Sequence, residues 1–176
     1  MKKVAAAPAA IVLALAGVVA TSAPASAAAP ALVTCTGTTT VDFSPGVTNT
    51  PQTVSVSGQD TADVCLSLTH PQLTSFIGPF SGTASQSCTS LFAGGSGTET
   101  LYWNDGTSSA WSYTNSFSNV NGTKVGTSTG PLTSGTLAGA TVTQTITFAN
   151  LDLTACTTPQ GLTSLSGLDT WTITHL

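Results

Sequence analysis

The sequence predicts an all-β domain: a single antiparallel β-sandwich or small meander β-barrel of about eight or nine strands, stapled by two disulfides. Three observations carry this. Apolar residues alternate with Thr or Ser in short runs along the chain, the mark of a half-buried strand. Gly, Pro and Asn punctuate those runs at short intervals. No useful window favours a helix, because Thr, Ser, Val and Gly dominate and all form helices less readily than Ala, Leu, Glu or Lys.

The first 27 residues read as a cleaved signal peptide. Lys2 and Lys3 precede an Ala/Val/Leu-rich stretch, and Ala25-Ser26-Ala27 supplies a small-x-small cleavage pattern. No Arg-Arg pair precedes the apolar stretch, which favours the general export route over the twin-arginine one. Leu32-Val33-Thr34-Cys35 has Thr where a lipoprotein cleavage box needs a small residue. The expected product is a secreted, extracellular protein, free or associated with the cell surface, with no membrane span after cleavage. Residues 28–33 read as a flexible arm and 34–176 as one β domain.

Strand signals follow in order. Residues 34–43 alternate Thr with apolar side chains up to Ser44-Pro45-Gly46, and residues 52–58 place Val54 and Val56 on one face. Residues 59–63 read as a polar loop before a third strand at 64–69, closed by His70-Pro71. Gly78-Pro79 reads as a turn into a strand at 80–91, and residues 94–97 as a flexible turn. Residues 97–117 form the clearest hairpin, folded about Asn104-Asp105-Gly106. A three-residue loop there, with Gly106 in the left-handed position, puts Leu101, Trp103, Trp111 and Tyr113 on one face, and one apolar face is what a sheet needs. Asn121-Gly122 turns into a strand at 123–129, and Gly130-Pro131 and Gly135 set off the next. Residues 140–148 are the longest clean alternation, with Val142, Ile146 and Phe148 on one face. A last strand at 169–174 puts Trp171 and Ile173 on one face. Residues 74–83 echo 127–136, which similar turn geometry explains.

Cys35, Cys65, Cys88 and Cys156 form an even set without paired C-x-x-C knuckles, so they read as disulfides and not as a metal site. The favoured pairing is Cys35–Cys65, local to the N-terminal hairpin region, with Cys88–Cys156 tying the centre to the C-terminal segment. Loss of Lys2 and Lys3 with the leader moves the net charge from −4 to −6 and leaves Lys124 as the only lysine or arginine. A chain with one such cation has no patch to neutralise phosphates, which disfavours nucleic-acid binding.

The segments FSPGVTNTPQTVSV, GSGTETLYWNDG, LTSGTLAGATV and ACTTPQGLTSLSG occur in this order after the leader. Together they resemble a group of small secreted four-cysteine β-proteins of high-GC Gram-positive bacteria. The resemblance implies export, an all-β fold and a four-cysteine framework, and brings no catalytic residue.

Candidate chemistry is thin. Residues 126–130 (GTSTG) match a nucleophile elbow, followed by Asp152 or Asp169 and His175, but the elbow needs a strand running into a helix and Pro131 follows instead. His70 and His175 lie at a turn and at the penultimate position, with no further ligands spaced around them. Glu99, the only glutamate, shares a face with Trp103 and Trp111; it reads as a strand-entrance residue with its head in water, and as an acid only if buried. The other carboxylates, Asp60 and Asp169 among them, read as turn or strand-end residues. Tyr102, Trp103, Trp111, Tyr113 and Glu99 are the candidate ligand-binding residues, with stacking on the aromatic faces weighed against core packing. The broad composition is similar to that of small secreted chromophore-carrier sandwiches of the neocarzinostatin type, with different cysteine spacings.

The expected role is a non-catalytic extracellular binding or cell-surface structural one, without cofactor or metal. The alternative is a small-ligand or carbohydrate carrier using the aromatic hairpin. A cell-wall, glycan or small-molecule partner fits both.

Overall fold

The computed structural model describes residues 31–149 and 151–175. The expected leader lies outside them. Eight strands, each antiparallel to its sequence neighbours, close into a barrel in chain order. They are β1 (Ala31–Val47), β2 (Gln52–Leu66), β3 (Phe76–Gln86), β4 (Gly95–Trp103), β5 (Ser108–Val120), β6 (Thr123–Gly135), β7 (Thr141–Phe148) and β8 (Leu162–Thr174). Closure comes from β1 pairing with β8, from Ala31 against Thr174 to Val47 against Leu162. The fold is therefore a meander barrel, the form that leaves no sheet edge at its ends.

The strands are longer than the sequence signals suggested, because several residues that read as breakers lie inside them. Residues 59–63 are not a loop: they continue β2, with Asp60 turned inward and buried, while Asp63 is exposed. Gly78-Pro79 lies inside β3, and Gly130-Pro131 inside β6. The last strand begins at Leu162, well before Asp169. Residues 31–33 belong to β1 and not to a loose arm, since Val33 is buried against Ile173. In a narrow barrel an inward glycine leaves space for the large side chain facing it. Gly78 does so for Glu99: a Cβ added there would stand 1.8 Å from Glu99 Oε1.

The hairpin of β4 and β5 has the expected register. Trp103 N–H donates to Thr107 O at 2.9 Å across a three-residue loop, with Gly106 at φ +84°. Leu101, Trp103 and Trp111 are buried on the inward face, Tyr113 is partly buried beside them, and Tyr102 points outward.

One end of the barrel is solid. Trp111 and Trp171 meet edge to face at 5.3 Å, and Phe76 bridges Trp171 and Trp103 at 5.0 Å each. Leu73, from the β2–β3 loop, plugs this end and is fully buried. Asn104 holds that loop by accepting from Thr74 and Ser75 N–H and donating to Gln72 O. The Cys35–Cys65 disulfide joins facing residues of β1 and β2 in the same cluster. At the other end Cys88–Cys156 ties the β3–β4 loop to the short 3-10 segment Leu153–Thr157 between β7 and β8. The two pairings are those favoured from the sequence. Two cross-links of this kind belong to an oxidising compartment.

Candidate functional site

Above the tryptophans the barrel is hollow. A cavity of about 260 Å³ is lined by inward residues from all eight strands and by the β3–β4 loop. Its wall is aromatic and aliphatic. Five of the six phenylalanines line it: Phe43, Phe80, Phe92, Phe117 and Phe148, with Val41, Ile146 and Leu165 between them. Phe92, carried by the β3–β4 loop, packs edge-on against Phe117 and Phe148 at 5.2 and 5.9 Å. The Lys124 ammonium lies 5.0 Å from the centre of its ring, a cation–π contact.

The floor is polar. Thr39, Asp60, Glu99, Ser128 and Gln144 are all buried and border the cavity. Thr39 Oγ1 hydrogen-bonds Asp60 Oδ1 and, at 2.5 Å, Asp169 Oδ2. A hydroxyl has one proton to donate, so two carboxyl partners require that one of them be protonated and donate back. Gln144 Nε2 donates to Asp169 Oδ2 at 3.1 Å and to Thr39 Oγ1 at 3.4 Å. Asp60 stands against Glu99, whose Oε1 has no hydrogen-bond partner and lies over Gly78. Asp169 Oδ1 and Trp171 Nε1 are also buried without completing a hydrogen bond.

These carboxyls hold their protons above the usual range. Burial is the main cause for each. Asp60 is pushed up to about 7, with the Asp169 charge adding to burial and the Thr39 hydrogen bond opposing it. Glu99 is pushed up to about 10, burial being reinforced by the charge of Asp60 and a hydrogen bond with it. Asp169 is raised by burial, against the hydrogen bonds of Thr39 and Gln144. The Tyr113 hydroxyl is pushed up to about 12 by burial and by the charges of Glu99 and Asp60. At neutral pH the floor thus offers a carboxylic acid at Glu99 and, at Asp60, a group near the midpoint of its titration.

The barrel wall is weakest beside Glu99. β3 and β4 pair only at Phe76 with Trp103 and Ile77 with Tyr102. Past Pro79, which has no N–H for a ladder, the strands part. A cleft there is lined by Pro79, Phe80, Thr98, Glu99 and Trp111, so Glu99 borders both the cavity and this seam.

The chain matches no family model, no curated protein and no solved structure.

The candidate binding residues separate into three places. Trp103 and Trp111 are 3 % and 1 % exposed and form the solid end, so neither offers a stacking face. Trp103 Nε1 donates to Ser109 Oγ and Trp111 Nε1 to Gly130 O, which satisfies both indoles internally. Tyr102 is half exposed on the outer wall, paired across the sheet with the exposed Ile77. Tyr113 and Glu99 alone reach the cavity. Glu99 corrects its sequence reading: its head is buried in the barrel and not in water, because Gly78 leaves room for it. Asp60 and Asp169 likewise are interior groups and not turn residues. In the elbow-like segment, Ser128 lies mid-strand in β6 facing the cavity, and no helix follows. Among the described residues no group of three His, Cys, Asp or Glu is arranged to hold a metal ion.

Proposed function

We propose that this is an exported small-molecule-binding barrel, with the ligand held inside the hollow end and not on the aromatic hairpin. The observation that carries the reading is the cavity itself. Its apolar wall and few convergent polar groups are the usual make-up of a ligand site, and its volume lies just under the roughly 300–1,000 Å³ typical of such sites. A compact ligand of one or two rings fits. The β3–β4 loop, anchored by Cys88–Cys156, covers the mouth and supplies Leu91 and Phe92.

The buried carboxyls support a functional role on energetic grounds. Burying three acids costs stability at neutral pH, where apolar residues would not. A purely structural interior has no need of them.

The test is calorimetric titration of the mature protein with small neutral ring compounds such as benzyl alcohol and indole. Ser128→Leu, which fills the cavity floor, is expected to weaken binding at least tenfold without changing the fold. Binding that ignores the filling, or no binding by any compound, contradicts the reading.

One observation favours a second reading, acid–base catalysis on the bound molecule. Glu99 and Asp60 are adjacent carboxyls whose environments separate their proton affinities, the usual basis for assigning an acid and a base. Turnover of the bound compound, lost in Glu99→Gln and Asp60→Asn, would establish it.

A further inference from the structure

We infer that the molecule held in this cavity is a small organic cation, an amine whose ammonium group sits against Asp60 and Glu99 while its apolar body lies among the phenylalanines. This rests on the ligand-binding reading above and names the ligand class.

The first support is an imbalance of donors and acceptors. Four buried polar atoms in or beneath the cavity lack a hydrogen-bond partner: three acceptors, Glu99 Oε1, Asn115 Oδ1 and Asp169 Oδ1, and one donor, the Trp171 indole N–H, which stands by Asp169. Glu99 is 6 % exposed, borders the cavity, and is buried deeply enough that an unmet oxygen is costly. Two of the donors nearby are already engaged, while the Ser128 and Tyr113 hydroxyls line the cavity as well. The Thr39 hydroxyl and the Gln144 amide both serve the carboxyl chain. A ligand that brings donors meets the unpaired oxygens of Glu99 and Asn115.

The second support is charge. Three carboxyls converge with no cation of the chain among them, and Lys124, the one lysine among the described residues, is held over Phe92 at the mouth. A buried carboxylate is stable only when paired, and an entering ammonium would provide the missing partner. The third support is the wall. Tyr113 and Phe80 lie beside Glu99 and Phe117 lines the same cavity, and a cation beside aromatic faces is attracted by their quadrupole.

Proton accounting makes the inference measurable. The groups facing Asp60 are Glu99 on β4, Asp169 on β8 and Tyr113 on β5, while β1, β3, β6 and β7 contribute Thr39, Gly78, Ser128 and Gln144, which do not titrate. An ammonium that binds the ionised form of Asp60 must displace its proton when it enters below about pH 7. Affinity should then rise about tenfold per pH unit over that range.

The experiment is titration calorimetry of the mature protein with benzylamine and with benzyl alcohol, its neutral counterpart, at pH 5.5, 6.5 and 7.5. Two buffers of different ionisation enthalpy count the protons released. Benzylamine is expected to bind at least tenfold tighter than benzyl alcohol at pH 7.5, to gain about tenfold between pH 5.5 and 6.5, and to release a proton. Asp60→Asn should remove most of the difference between the two compounds and the pH dependence of benzylamine binding; the pH series on the unaltered protein stands if that variant fails to fold. Equal, pH-independent binding of the two compounds would overturn the amine inference and leave the ligand-binding reading intact. Binding of neither would overturn both.

Discussion

The two ends of this barrel are built from different aromatic residues. The closed end takes all three tryptophans and Phe76, and the open end takes the other five phenylalanines around a cavity. Each end has one disulfide. Cys35–Cys65 joins facing strand residues inside the packed cluster, whereas Cys88–Cys156 joins two loops above the cavity. The layer between the ends is polar, with Thr39, Asp60, Glu99, Gln144 and Asp169 buried together. The difference shows how one repeating strand pattern divides its work. Stability is concentrated where indole rings fill the cross-section, and that leaves the other half free to stay hollow and to tolerate buried acids.

The comparison breaks first if the ends are equally important to stability. Trp111→Ala should destabilise the protein by about 3–5 kcal/mol in urea unfolding, because it removes a fully buried ring from a close-packed cluster. Phe117→Ala, on the partly exposed cavity wall, should cost less than about 2 kcal/mol. Similar losses would mean that the cavity is not a cavity in solution.

The next effect concerns the open-end cross-link. Replacing Cys88 and Cys156 together by Ser should cost about 2–4 kcal/mol. Because the link ties loops and not the tryptophan cluster, native tryptophan emission should stay unchanged while binding in the cavity weakens. A shift in emission would show that the two ends are coupled.

Smaller, and opposite in sign, is the effect of the acids. A carboxyl whose proton affinity is raised by folding binds more protons in the native than in the unfolded state. Stability is therefore full below the ordinary values of 3.8 for Asp and 4.5 for Glu, and is lost progressively up to about 7 for Asp60 and about 10 for Glu99. Melting temperature should fall between pH 5 and pH 9. Glu99→Gln should flatten that fall and melt higher than the parent at pH 8, each recovered kcal/mol being worth about 2–4 °C. A melting temperature that climbs with pH over this range contradicts the burial of these groups. The smallest expected effect is at the surface: Tyr102→Ala, on the outer wall, should change stability by less than about 0.5 kcal/mol and leave binding intact.

Much of the fold was legible in the chain. The Asn104-Asp105-Gly106 loop, its register and the disulfide pairs follow from turn chemistry and cysteine placement. The choice of barrel over sandwich stayed open, and the true strand lengths were hidden, because Gly78-Pro79 and Gly130-Pro131 look like turns when only local preference is weighed. Inside a narrow barrel they are positions where the wall must be thin. The site was hidden for a related reason. Gln144 falls on the same parity as Val142, Ile146 and Phe148, and Asp169 on that of Trp171 and Ile173. A polar residue at an inward position is the signal that was present, and it is readable only once the alternation is taken strictly. Asp60 could not be read so, since the polar run at residues 59–63 has the composition of a loop although it continues β2.

The most direct measurement uses the fact that Glu99 is the only glutamate in the chain. Selective carbon-13 labelling of the glutamate carboxyl gives one NMR resonance, followed from pH 4 to pH 10.5. A resonance that remains that of a protonated acid at pH 7 and moves only toward pH 10 is the predicted result. A midpoint near the ordinary 4.5 would place Glu99 in water and contradict the buried acidic floor on which the account of this barrel depends.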